Sequence, residues 1–183
     1  MEIRKYQVTD KQNLQKICII TANPQKNEQG ERLLNLLYND YYTEQEPENC
    51  FVLTDEADNA VGYIICAKNF DTYKKAFTEK YLPQVKKISF IQYLLRKLSF
   101  IIEKKFSKEY PAHLHIDILP GFTGKGSGSM LINALCEHLK AEGVSGIMLC
   151  VGAHNVRAIK FYEKHGFTKL LNLGGVFMGK KLI

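Results

Sequence analysis

No window of the sequence reaches about 18 consecutive uncharged apolar residues, and the opening MEIRKYQVTD lacks the apolar core of a secretory signal. A spanning helix and export are therefore not expected, and a cytoplasmic protein is. CxxC spacing is absent too. Cys18, Cys50, Cys66, Cys136 and Cys150 are odd in number and far apart, and most sit in apolar runs such as KICII, GYIICA and GIMLCV, as reduced structural thiols do. No two histidines have metal-ligand spacing with a third ligand, so no metal is expected and His138, His154 and His165 read as surface or helix-end residues. Blocks of Lys and Arg interleaved with aromatics are also lacking, which argues against nucleic acid despite a net charge of +6. There is no internal repeat or low-complexity segment. What remains, 183 residues that are 45% hydrophobic and 24% charged, suits a single domain over 1–183 and excludes disordered, collagen-like and disulfide-scaffold classes.

Basic residues are missing from one stretch in particular. Residues 33–67 hold seven acids (Asp40, Glu44, Glu46, Glu48, Asp55, Glu56, Asp58) and no Lys or Arg, so the rest of the chain carries +13. Such polarity suits a basic region for a polyanionic cofactor and an acidic one for a cationic substrate such as a polyamine, aminoglycoside or lysine side chain. A solvated helix end and turn explains those acids equally well.

Along the chain, EIRKYQ alternates as a first strand, and Thr9 or Asp10 caps a helix carrying Leu14, Ile17 and Cys18. A second helix is expected from about Glu31, with Tyr38, Tyr41, Tyr42 and Asp40 as acceptor-side candidates on an otherwise ordinary surface. CFVLTDEADNAVGYIICA reads as an antiparallel hairpin, with Asp58 and Asn59 in its turn. Residues 69–110 read as a helical insertion. Within it, ISFIQYLLRKLSFIIEKKF is apolar nearly all round, which predicts burial in the core, with a homodimer contact or a substrate lid as the other outcomes. HLHIDIL alternates strictly, GSGSMLINALCEHLKAEG is helical with Gly143 as its stop, and GIMLCV is a short apolar strand. A capped helix from Asn155 to His165, stopped by Gly166, and the strands FTKLLNL and GVFMGKKL complete an α/β (α+β) pattern of about seven strands flanked by helices.

The most informative stretch runs from Leu119 to Leu131, where a strand enters a turn holding Gly121, Gly124, Gly126 and Gly128 and passes straight into a helix. Glycines let successive backbone N–H groups converge, and the helix N-terminus adds its positive end, so a pyrophosphate is the natural guest. Lys125 adds a full charge. Spacing separates the competing phosphate loops. A Walker loop needs Ser or Thr directly after its Lys, where Gly126 stands, and a dinucleotide fingerprint has a different glycine period and an earlier place in the chain.

These residues resemble the acetyl-CoA-binding motif of the GNAT superfamily of N-acetyltransferases, which on this chain falls at Thr123, Gly126 and Gly128, with Thr123 where the family carries Arg or Gln. The segment HLHIDILPGFTGKGSGSMLI also resembles the acetyltransferase-like domain of O-GlcNAc hydrolases. A second stretch, Gly152 to Phe167, is similar to another GNAT signature of Asn, Ala, Phe-Tyr and Gly-Phe. Physically, Asn155 suits an N-cap, and it shares a helical face with Tyr162 about 10 Å away, the reach of a pantetheine arm. The resemblance implies a twisted mixed, mostly antiparallel sheet in the acetyl-CoA N-acyltransferase fold. It also implies that acetyl-CoA is bound by Ile118, Leu119, Thr123, Gly124, Lys125, Gly126, Ser127, Gly128, Ser129, Asn155, Ala158 and Phe161. The insertion departs from the family, whose third and fourth strands are joined by a short turn.

Acetyl transfer to an amine needs a base, because an amine with a pKa of about 10.4 is mostly protonated at neutral pH. His113, His115 and Asp117 share one face of a strand. The expectation is that His115 or Asp117 is the base or orders a basic water, with Asp117 otherwise holding a histidine tautomer or the acceptor ammonium; a satisfied polar network is the competing account. Tyr162 is the candidate acid for the leaving thiolate, and a backbone N–H near Ile118 or Leu119 the candidate oxyanion donor. The reaction expected is direct attack by a primary amine of a small molecule or peptide on acetyl-CoA in a ternary complex; a non-catalytic acyl-CoA-binding sensor is the alternative.

Overall fold

The computed structural model describes residues 1–22 and 27–183. Seven strands form one sheet: β1 (Glu2–Lys5), β2 (Cys50–Thr54), β3 (Ala60–Ala67), β4 (Ala112–Ile118), β5 (Gly146–Val151), β6 (Thr168–Asn172) and β7 (Val176–Lys181), in the order β1-β2-β3-β4-β5-β7-β6. Every pairing is antiparallel except β4 with β5. β2 and β3 are buried along their whole length, as continuous apolar runs require. The turn between them is organised by Asp55, whose Oδ1 accepts from the N–H groups of Ala57 and Asn59 at 2.9 Å, with Asp58 at φ +59°.

Helices cover both faces. On one lie α1 (Lys11–Thr21), α2 (Glu28–Tyr38), α3 (Asp40–Gln45), α4 (Phe70–Ala76), α5 (Leu82–Ile88) and α6 (Phe90–Phe106), over a core rich in tyrosine: Tyr41, Tyr42, Tyr63 and Tyr73 are fully buried. On the other lie α7 (Ser127–Ala141) and α8 (Val156–Lys164), packed through Leu131, Leu135, Ile159 and Tyr162. The second helix begins a turn earlier than its apolar stripe suggests, because the Asn27 side chain caps Gly30, and it breaks at Asn39 before α3. Gly143 (φ +71°) ends α7 by letting Val144 N–H return to the Leu139 carbonyl at 2.9 Å.

The insertion between β3 and β4 is helical as expected, α4 running through a π-turn (Phe77–Tyr81) into α5 and then α6. The expected burial of α6 fails in part. Phe100 and Ile102 pack inward, but Phe90, Ile91, Leu94, Leu95, Leu98 and Ile101 are about half exposed or more. A helix lying on the outside of a layer can bury only one side.

Candidate active site

β4 and β5 are joined only at Ala112–Ile147 and His113–Met148; beyond them the strands part. β4 continues to Ile118 on the arm of β3, and Leu119 N–H still bonds the Val61 carbonyl at 2.9 Å. The alternation of the ladder therefore turns the N–H groups of Ile116 and Ile118 the other way, to the edge that β5 has left. Leu119, one of the two expected oxyanion donors, is committed to the sheet and drops out.

Into this gap opens a cavity of about 580 Å³. Of the residues expected there, Ile118, Thr123, Gly124, Gly128, Asn155, Ala158, Phe161 and Tyr162 line it, together with Asp117. Gly126 is the N-cap of α7 at φ +82°, a side chain on Gly124 or Gly126 would meet open space, and among the described residues neither glycine's N–H donates to a protein acceptor. Gly128 has a different task. A Cβ there would stand 2.9 Å from the Phe161 ring, so glycine is what lets α7 and α8 close around the gap. Five expected residues do not line the cavity: Leu119, Lys125, Gly126, Ser127 and Ser129. Ser127 is buried and donates to the Phe122 carbonyl (2.8 Å), and the Ser129 hydroxyl pairs with His165 Nε2 (2.9 Å), so both hydroxyls serve the fold. Ile20, Thr21, Ile116, Pro120 and Arg157 were missed. Arg157 stood in the open, between Asn155 and Ala158; Thr21, at the far end of α1, gave no local signal.

Asn155 caps α8 as expected, its Oδ1 accepting from Ala158 N–H at 3.0 Å, which leaves its amide NH₂ free for a ligand. Tyr162 packs against Phe161 and Phe167. Burial, and then the nearby Asp117 charge, push its phenol well above the ordinary range. Its hydroxyl has no protein partner among the described residues and faces the gap.

The three polar side chains of β4 share a face, but they divide between two environments. Asp117 lies in the gap and accepts from the Tyr63 hydroxyl at 2.5 Å, not from a histidine. Burial raises its pKa, and the hydrogen bond from Tyr63 partly restrains the rise. His113 and His115 line a second cavity of about 430 Å³, walled by α2, α6, β5 and the β6–β7 turn. His113 Nε2 lies 2.6 Å from the Tyr42 hydroxyl. Burial, reinforced by the Arg96 charge and for His115 by His113 as well, pushes both imidazoles down to about 3, so both are neutral and weakly basic at pH 7. Tyr38 also reaches this cavity, its ring 5.3 Å from that of His115, while Asp40 pairs with Arg32 instead. Of the other acids of 33–67, Glu44 pairs with Lys11, Glu46 with Tyr41 and Asn49, Asp55 with Asn59 and Asp58 with Arg4. None of the seven lines either cavity.

The cysteine expectation holds for Cys18, Cys50, Cys66 and Cys136, all buried and free, and fails for Cys150, which is exposed in the second cavity. His165 is a helix-end residue, its Nδ1 2.8 Å from the Phe161 carbonyl. Among the described residues no group of three or more His, Cys, Asp or Glu could hold a metal, and no helix is long and apolar enough to cross a membrane.

A mixed sheet whose one parallel pair splays beside a glycine-rich helix start, with a tyrosine-bearing helix across the gap, defines the fold of acetyl-CoA-dependent acyltransferases. The chain belongs to the acetyltransferase (GNAT) family, whose model matches residues 15–167. It is 41% identical over 63 residues to the uncharacterized N-acetyltransferase MJ1207 of Methanocaldococcus jannaschii, covering 34% of this chain and 28% of that protein. It is also 41% identical over 54 residues to the mycothiol acetyltransferase of Streptosporangium roseum, covering 30% and 16% respectively. The matched segments thus span less than a third of either relative. Among solved structures, SsHAT superposes with a TM-score of 0.86 at 26% identity, over 100% of this chain and 98% of that one. The PaiA N-acetyltransferase of Thermoplasma acidophilum, solved with coenzyme A, shares the fold with a TM-score of 0.61 at 17% identity, over 98% of both chains.

Proposed function

We propose that the protein transfers an acetyl group from acetyl-CoA to a primary amine by direct attack within a ternary complex. One observation carries this reading: two backbone N–H groups, a protonated phenol and a carboxyl converge on the gap between β4 and β5, whose mouth is the glycine loop. The bare amides at Gly124 and Gly126 suit the pyrophosphate, with Arg157 as a further cation at the rim, and the free Asn155 amide and the Ala158 and Phe161 side chains suit the pantetheine arm. The N–H of Ile118, or of Ile116, is aimed to stabilise the carbonyl oxygen as it gains charge. Asp117 takes the proton of the attacking amine, directly or through a water, and Tyr162 protonates the departing thiolate. His115 is a poorer base than Asp117, because its imidazole is held neutral at a low pKa and it lies in the other cavity. A cytoplasmic location agrees with this reading.

The reading is tested by thermal unfolding with acetyl-CoA, CoA, ATP and NAD at equal concentrations. A ligand at a hundred times its Kd adds about 2.7 kcal/mol. A shift with the two CoA species alone is expected; a shift with ATP, or none with CoA, rejects it.

A second proposal concerns assembly. The exposed apolar residues Ile91, Leu94, Leu98 and Ile101 of α6 recur at intervals of three, four and three, the seam spacing of paired helices. We infer that a second copy covers this face, α6 against α6.

A further inference from the structure

The cavity of about 430 Å³ beside β4 is bounded on one side by α6 of the insertion, and its size falls in the lower part of the range of small-molecule sites. It meets the gap along one strand: His115 lines this cavity and Asp117, two residues on and about 7 Å away, lines the gap. An acceptor body held against His115 therefore lies within about 7 Å of the Asp117 side of the gap. The cavity walls are mainly apolar, from residues such as Leu37, Leu95 and Met148.

The charges in the cavity cancel. Arg96 Nη1 and Nη2 donate to Glu103 Oε1 (2.9 Å) and Oε2 (3.2 Å), Ser99 donates to Oε1 (2.6 Å), and Arg96 Nη2 also donates to the Tyr73 hydroxyl (2.8 Å). The guanidinium is sandwiched among the rings of Tyr73, Phe77 and Phe100. His113 and His115 are neutral. An acceptor carboxylate finds Arg96 already matched, and a second ammonium finds Glu103 already matched. Either would be a charge taken out of water without a partner, which is strongly disfavoured. Two buried polar atoms of lining residues nevertheless have no partner: Arg96 Nε–H and His113 Nδ1.

We propose that the acceptor is a small monoamine whose body is otherwise uncharged and mostly apolar. The proposal rests on the acetyl-transfer reading and narrows its substrate class. It excludes polyamines, aminoglycosides and free amino acids as good acceptors.

The test measures thiol release from acetyl-CoA with matched pairs: tyramine against tyrosine, which adds a carboxylate, and 6-aminohexanol against 1,6-diaminohexane, which adds an ammonium. The uncharged-bodied member of each pair is expected to lead by about a hundredfold in kcat/KM, since an unpaired buried charge costs several kcal/mol. Equal or better use of the diamine or the amino acid overturns the proposal. So does stabilisation by acetyl-CoA with no acetylation of either monoamine; absence of any stabilisation by acetyl-CoA instead overturns the reading beneath it. Two variants sharpen the result. Glu103→Gln leaves the Arg96 charge unmatched, and the tyrosine-to-tyramine ratio should rise about tenfold or more. Should that variant fail to fold, Cys150→Phe, a β-favouring change at an exposed strand position, fills the cavity. It should raise the acceptor KM at least about tenfold with the acetyl-CoA shift retained; an unchanged KM places the acceptor elsewhere.

Discussion

The Tyr63 hydroxyl of β3 stands 2.5 Å from Asp117 Oδ2 of β4, a cross-strand bond that holds the carboxyl at the edge of the gap. Tyr63 is fully buried, so this geometry is fixed by the core rather than by solvent. The bond lowers the pKa of Asp117 against the opposing effect of burial. Tyr63→Phe should therefore move the acidic limb of the kcat/KM profile to higher pH, because the carboxyl then holds its proton longer. Asp117→Asn should lower kcat/KM by about a hundredfold or more, the usual worth of a general base. Profiles of both variants check the assignment; an unmoved limb in Tyr63→Phe removes Asp117 from the role of base.

Tyr162→Phe deletes the phenolic proton facing the gap and keeps the ring that packs on Phe161 and Phe167. Turnover should fall by roughly ten- to a hundredfold, toward the lower end of general-acid effects. The stabilisation by acetyl-CoA should stay as in the parent. Unchanged kcat rules the phenol out as the acid.

Gly128→Val places a side chain against the Phe161 ring, and α8 must shift to admit it. The protein should still fold, but acetyl-CoA at the concentration that gives about 2.7 kcal/mol in the parent should give less than about half of that. A full thermal shift would mean that the closeness of α7 and α8 does not shape the donor site.

His113 is neutral in the folded protein, with its pKa depressed to about 3, while an unfolded histidine titrates near 6.5. Between those values the unfolded chain binds more protons, so stability is fully present above pH 6.5 and is lost as pH falls, by up to about 1.4 kcal/mol per pH unit per such histidine. Denaturant unfolding at pH 7 and pH 5 should show a smaller loss in His113→Gln than in the parent. The same loss in both would show that His113 does not contribute.

The α6 seam makes its own test. Sedimentation equilibrium should give a dimer for the parent and a folded monomer for Ile91→Glu with Leu94→Glu, since about 1.5–3 kcal/mol of burial per apolar side chain is removed and like charges are added. A monomeric parent at micromolar concentration contradicts the pairing.

Much of this was legible in the sequence, for identifiable reasons. Strict alternation in HLHIDIL, the glycines before α7 and the cap at Asn155 are local signals, and local signals survive into the fold. The seven strands and both ends of the gap follow from them. What escaped depends on three dimensions. Periodicity showed that α6 is apolar but not which side the core would take, so an exposed face stood only as an alternative to burial. Leu119 looked as available as Ile118 until pairing with Val61 separated them. Cys150 sits in an apolar run like its fellows, yet the parting of β4 and β5 leaves it open to the second cavity. Arg96 and Glu103 are two turns apart on an otherwise apolar helix. That spacing is not one of the neighbouring helical spacings, so neither the ion pair nor its place in a cavity could be read.

The account is tested most directly by following the release of free thiol from acetyl-CoA with and without tyramine, alongside the mass of the amine. The expected result is amine-dependent release, with one acetyltyramine formed per thiol and a large loss in Asp117→Asn. Binding of acetyl-CoA with release indifferent to tyramine would contradict the monoamine acceptor; release indifferent to every amine tried, charged-bodied ones included, would contradict acetyl transfer and leave an acyl-CoA-binding protein.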